Sequence, residues 1–124
     1  FRSRCVFWQK KAPQYQMKGV YQQADLFLLP TEYEIFGMVL LEAMFFRRVV
    51  LTTPNGGADM LLRSGENGLV LEKSDPARWA KALLDTAADP EKKARMEQAA
   101  YETVIHENTW DALADRFLAV YEKR

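Results

Sequence analysis

Two unbroken apolar runs, Leu26-Phe27-Leu28-Leu29 and Val49-Val50-Leu51-Thr52, constrain this chain more than any other feature. Neither alternates apolar with polar residues. A strand that reads this way is covered on both faces, as in parallel sheets flanked by helices. The second run is β-branched as well, which suits a strand. Between them, Gly37 to Phe46 carries an apolar helical pattern. Strand, helix and strand in that order predict a right-handed parallel crossover.

The remaining segments extend the alternation. Cys5-Val6-Phe7-Trp8 suits a short strand, and Gln14 to Ala24 places Tyr15, Met17, Val20, Tyr21 and Ala24 at helical spacing. Gly19 weakens that helix by about 1 kcal/mol relative to Ala. Pro54-Asn55-Gly56-Gly57 has the chemistry of a loop, Ala58 to Arg63 of a short helix, and Ser64 to Gly68 of a second turn. Leu69-Val70-Leu71 reads as a last, short strand. Three helices are then expected, opening at Ser74-Asp75-Pro76, Asp89-Pro90-Glu91 and Thr109-Trp110-Asp111. The second of these runs towards His106. The fold class is α/β: a parallel sheet followed by C-terminal helices.

Composition sets outer limits. With 124 residues the chain holds one modest core. Lys+Arg 17 balances Asp+Glu 17, so no global charge draws it to nucleic acid or an anionic membrane. A single cysteine, Cys5, forms no internal disulfide and fits a reducing, cytoplasmic compartment. No apolar run approaches the roughly 20 residues of a membrane-spanning helix. Peripheral membrane association of a longer protein stays open. The sequence starts at Phe1 rather than Met and is read as a fragment.

In parallel α/β sheets, ligands bind beyond the carboxyl ends of the strands. The turns Pro30–Gly37 and Thr53–Gly57 both fall at that edge. The first contains Glu34, and Glu42 follows with seven residues between them. Glu42 lies within Val39-Leu40-Leu41-Glu42-Ala43-Met44-Phe45-Phe46, where a buried carboxylate is costly without a partner. Gly37 lets the backbone approach a ligand, and the helix start offers the N–H groups of Met38 and Val39 to a phosphate or pyrophosphate. Glu42 is then placed to accept from the vicinal hydroxyls of a ribose, and Glu34 to face the group beyond the phosphates. A sugar nucleotide has those three parts in that order. Plainer readings compete. Thr31-x-x-Glu34 satisfies a capping box, Glu42 also fits an exposed helix position, and Gly56-Gly57 also fits an ordinary turn.

The segment Thr31-Glu32-Tyr33-Glu34-Ile35-Phe36-Gly37-Met38-Val39-Leu40-Leu41-Glu42-Ala43-Met44 resembles the E-x7-E segment of retaining GT-B glycosyltransferases of the group-one type, similar to the glycogen synthase and sucrose synthase clan. The resemblance extends over Tyr21–Leu71, and Thr109-Trp110 is similar to the family's motif before its last helix. It implies a Rossmann-like sheet in which the strands at Leu26, Val49 and Leu69 are neighbours, and transfer of a sugar from a nucleotide-sugar donor (a UDP-, GDP- or ADP-sugar) to a glycan or lipid-linked acceptor. The reaction would proceed with retention, without metal or cofactor, as a step in polysaccharide biosynthesis. Glu42 matches the glutamate that contacts the donor ribose. Glu34 matches the one beside the donor sugar and carries the catalytic role. Phe36, Gly37, Met38 and Val39 match the backbone that holds the sugar hydroxyls and diphosphate, and Gly56 and Gly57 match a flanking loop.

This sequence departs from the pattern at four places. Arg47 and Val49 stand where the family usually has Gly and Pro, and Ile35 where a Gly is common. Met60 replaces an acidic residue, with Asp59 one position earlier. The family's first two strand–helix units, which carry a diphosphate-gripping Arg and Lys, have no convincing match in Phe1–Gln23. Lys10, Lys11 and Lys18 are candidates, but a plain solvated face is the favoured reading of surface lysines. Residues 1–124 are therefore expected to be a single partial domain, the C-terminal portion of a donor-binding domain whose acceptor-binding partner lies outside this sequence. The strand at Val6 would lack its neighbour, and such an edge invites self-association. Trp79 and Trp110 are read as core, His106 as a surface residue and Cys5 as inert. Beside the transferase stand two alternatives: a nucleotide-sugar-binding module without transfer activity, and a sugar-nucleotide epimerase of related fold.

Overall fold

The computed structural model describes residues 16–33, 38–107, 109 and 111. The expected strand at Val6, Lys10 and Lys11, the helix after Trp110, and Glu34, Ile35, Phe36 and Gly37 lie outside the described residues. Within them the chain runs α1 (Met17–Gln23), β1 (Leu26–Leu29), α2 (Met38–Phe45), β2 (Val49–Thr52), α3 (Gly56–Leu61), β3 (Leu69–Val70), α4 (Pro76–Ala88) and α5 (Pro90–Glu102). A π-helical turn, Thr103–Glu107, follows α5 directly.

The three strands form one sheet that is parallel, as the alternation predicted, and its order is β1-β2-β3, as the resemblance implied. Leu26 pairs with Val49 and Leu29 with Thr52, then Leu51 with Leu69 and Thr52 with Val70. β2 is the centre: Val49, Val50, Leu51 and Thr52 are all fully buried. Successive side chains alternate between the two faces. Val50 joins Tyr21, Leu40, Met44 and Leu61 in one cluster. Val49 and Leu51 pack on the opposite face with Met96, Trp79 and Leu83. α5 serves both, since Met96 covers the second face while Ala100 reaches the first.

β1 differs from its expected double burial. It is only half-buried, with Leu28 43% exposed, because β2 is its one neighbour among the described residues. A continuous apolar run does not distinguish a central strand from one whose second neighbour is supplied elsewhere.

The helix signals in the sequence act as physical caps. The Asp75 carboxylate accepts from Arg78 N at 3.1 Å and opens α4. Asp89 does the same for α5 from Lys92 N, and each is followed by Pro at the first turn. The end of α2 is more unusual. Arg47 takes a left-handed φ of 57°, while Arg47 N donates to Met44 O and Arg48 N to Ala43 O. That pair of bonds is the Schellman arrangement, which normally recruits glycine. Arg47 thus adopts the geometry of the Gly that it replaces.

Candidate functional site

β1 and β2 end at the same edge of the sheet, and their carboxyl ends are fastened together by side chains. The Thr52 hydroxyl donates to Leu29 O at 2.8 Å, and the Thr53 hydroxyl donates to Thr31 O. Asn55 Nδ2 donates to Thr52 Oγ1 and to Thr53 O. Its Oδ1 accepts from Ala58 N at 2.8 Å and so caps α3. Thr52 and Thr53 are both buried, so these hydroxyls exchange water for protein partners. On the other side, the Lys73 ammonium pairs with the Glu32 carboxylate. The turn leaving β1 is therefore held from β2 by Thr53 and from beyond β3 by Lys73.

This arrangement corrects two readings. Gly56 and Gly57 are the first residues of a helix, where a loop was expected before Ala58. Asn55 is the reason: its side chain satisfies an amide of the first turn and starts the helix two residues early. Thr31 is not the cap of α2. Its hydroxyl accepts from Tyr33 N at 3.2 Å and donates to Tyr33 O at 3.0 Å, closing a local turn.

Of the predicted site residues, Met38 and Val39 open α2 at this edge and are exposed, Met38 by 61%. Gly57 is buried and Gly56 is exposed at the head of α3, and α2 packs on α3. Met60, at the position of the family's acid, is 60% exposed near the end of α3, with Asp59 exposed beside it. Glu34, Phe36 and Gly37 fall outside the described residues. Lys18 lies on the exposed side of α1.

Glu42 is half-buried in the middle of α2. Its Oε2 accepts from the Tyr21 hydroxyl at 3.0 Å. The partner that burial demanded is thus supplied from within the protein, so burial by itself no longer argues for a ligand. Sequence periodicity placed Tyr21 only in an apolar stripe. The signal that could have found it is the polar tip of a core tyrosine, which needs a partner when buried. Burial, and then the hydrogen bond and charge of Glu42, push the Tyr21 phenol well above its ordinary pKa. The adjacent Lys73 holds the exposed Glu32 carboxyl below its usual value.

Among the described residues, no cluster of His, Cys, Asp and Glu has the grouping of a metal site, and no helix is long and apolar enough to cross a membrane. His106 is exposed, as its place at a helix end suggested, and Trp79 is half-buried against the second core, as its spacing suggested.

An open parallel sheet with helices on both faces, ending in two fastened turns at its carboxyl edge, is the architecture of a C-terminal GT-B domain. The C-terminal domain of a glycosyl transferase group 1 family protein from Francisella tularensis superposes with a TM-score of 0.76 at 23% identity, over 84% of this chain and 53% of that one. The model of the family "Glycosyl transferases group 1" matches residues 3–103. The chain belongs to that family. A D-inositol 3-phosphate glycosyltransferase from Corynebacterium jeikeium is 32% identical over 98% of this chain. The chain spans 29% of that relative's length. An Anabaena protein solved in complex with UDP-glucose shares the fold with a TM-score of 0.67 at 22% identity, over 85% of this chain and 29% of that one.

Proposed function

We propose that this chain is the C-terminal portion of the donor-binding domain of a glycosyltransferase that moves a sugar from a nucleotide sugar to a hydroxyl acceptor with retention. The observation that carries the reading is the juxtaposition at one sheet edge of the start of α2, the head of α3 and the turn that leads to Glu34. Family membership supports the transferase class, and the UDP-glucose complex of the Anabaena relative supports a nucleoside diphosphate sugar as donor.

In this reading Glu42 receives the ribose hydroxyls. The backbone of Phe36, Gly37, Met38 and Val39 holds the diphosphate and sugar hydroxyls, with Gly56 and Gly57 alongside. Glu34 sits beside the donor sugar as the catalytic carboxylate. The bond from the anomeric carbon to the diphosphate oxygen breaks as a bond to the acceptor oxygen forms on the same face. The acceptor proton leaves with the diphosphate. Developing negative charge on that diphosphate is what aligned N–H groups stabilise, and no metal is assigned a role. The acceptor is a glycan or a lipid-linked sugar, bound by residues outside this chain. The name of the Corynebacterium relative adds a phosphorylated polyol to that range. The proposed compartment is the cytoplasm, and peripheral membrane association of the full-length protein stays an open alternative.

The test uses the full-length protein with UDP-, GDP- and ADP-glucose and a panel of these acceptors, reading the product's anomeric configuration by proton NMR. A product with the donor's configuration, lost in Glu34→Ala, is expected. An inverted product contradicts retention. Donor binding without transfer to any acceptor favours the binding-module reading, and conversion of the free sugar nucleotide favours the epimerase.

A further inference from the structure

The phenol of Tyr21 and the carboxylate of Glu42 are brought together from different elements, and the contact is built rather than incidental. Tyr21 is 4% exposed on α1, and its hydroxyl donates to Glu42 Oε2 on α2 at 3.0 Å. The ring is held on two sides. Phe46 stacks on it with centroids 5.4 Å apart and an interplanar angle of 16°. Phe27, on β1, lies 5.9 Å away at a 43° tilt. The phenol oxygen therefore has one available position, fixed by α1, β1 and the end of α2.

A glutamate side chain has three free torsions, and ordering it when a ligand arrives costs affinity. A donor fixed in the core orders it beforehand. A carboxylate has about four lone-pair directions, and the phenol takes one of them. The hydroxyl is protonated at neutral pH as any phenol is, and burial and the neighbouring carboxylate extend that further up the pH scale. It is a permanent donor.

We propose that Tyr21 is a positioning residue, whose phenol orients the Glu42 carboxylate to receive the vicinal ribose hydroxyls of the donor. The proposal rests on the reading of Glu42 as the ribose contact. Tyr21 itself touches no substrate, so its effect must pass through Glu42 and be confined to the ribose.

The test is calorimetric titration of the full-length protein with uridine, guanosine and adenosine diphosphates, each paired with its 2′,3′-dideoxy counterpart. Wild type is expected to prefer the ribose form of its nucleotide by about tenfold or more, the scale of a charge-assisted hydrogen bond. Tyr21→Phe should lose most of that preference while binding the dideoxy form as wild type does. In a Glu42→Ala background it should change nothing further. Full ribose preference in Tyr21→Phe overturns the proposal, as does an equal loss for both forms, the mark of a merely structural role. No ribose preference in wild type overturns the reading of Glu42 and the proposal with it. Loss of preference in Glu42→Ala but not in Tyr21→Phe leaves that reading standing and removes Tyr21 alone. If Tyr21→Phe fails to fold, ring-labelled wild-type protein decides by NMR. The Tyr21 resonance should move with the ribose form and not with the dideoxy form, and movement with neither contradicts the proposal.

Discussion

Arg47 carries two opposed terms in one residue. Its left-handed φ of 57° costs a residue with a Cβ about 1–2 kcal/mol. Its guanidinium lies 4.2 Å from the centroid of the Tyr101 ring, a contact that returns about 0.5–1 kcal/mol at an exposed site. Glycine removes the first term and forfeits the second, whereas alanine keeps the cost and loses the gain. Arg47→Gly is therefore expected to be within about 1 kcal/mol of wild type. Arg47→Ala should fall about 1 kcal/mol below Arg47→Gly in urea unfolding. The reverse order would show that the turn does not need the left-handed region. Tyr21 supplies a pH dependence at the same scale. Its folded pKa is raised, so its contribution is complete below the unfolded value near 10 and is lost as pH rises through the folded value. Thermal melts should show stability falling above pH 10 in wild type more steeply than in Tyr21→Phe. For Glu32 the sign is opposite: its lowered pKa makes the Lys73 pair present above the ordinary carboxyl range and lost as pH falls through the folded value.

Between the elements, hydroxyl-to-carbonyl bonds decide how the site edge is held. Thr53→Val keeps the shape of the side chain and leaves the Thr31 carbonyl without its donor, which should cost about 1–2 kcal/mol. Hydrogen exchange should quicken at the Thr31–Tyr33 amides, and Thr53→Ser should restore them. Unchanged exchange in Thr53→Val would show that the Lys73 side alone holds the turn. Gly68 marks a second close approach. A Cβ there would lie 2.9 Å from Leu62 Cδ2 and 3.1 Å from Val50 O. The leucine can turn aside, but the carbonyl belongs to the fully buried central strand. Gly68→Ala is expected to cost about 1–3 kcal/mol by denaturant unfolding. The elements themselves were largely legible. Asp75-Pro76 and Asp89-Pro90 name their helices because cap and proline are local chemistry. The two apolar runs name their strands and their pairing. Less legible were features set by partners distant in sequence. The burial of β1 depends on what lies at its other edge. Asn55 was hidden as a cap because the two glycines after it favour a loop over a helix start. The π-helical turn at Thr103–Glu107 has no marker that we recognise.

At the scale of the whole molecule, the sheet is legible in the sequence while the site is only half so. Periodicity brought the start of α2 and the Gly56-Gly57 segment to one edge. It could not find Tyr21, because a tyrosine in an apolar stripe reads the same whether or not its hydroxyl meets Glu42. The second side of β1, which has no strand partner among the described residues, leads to a further expectation. β1 pairs with β2 alone among the described residues and leaves Leu28 partly exposed. We propose that residues 1–124 on their own self-associate through that edge as concentration rises. Light scattering should show a mass above 14.3 kDa at high concentration, and a clean monomer would contradict it. Everything proposed for this edge depends on Glu42 receiving the ribose of a nucleotide-sugar donor. The most direct test is the affinity of the full-length protein for its nucleoside diphosphate, wild type against Glu42→Ala. Glu42→Ala is expected to bind at least tenfold more weakly with the fold intact, the loss of about one charge-assisted hydrogen bond. Equal affinity in the two proteins would contradict it.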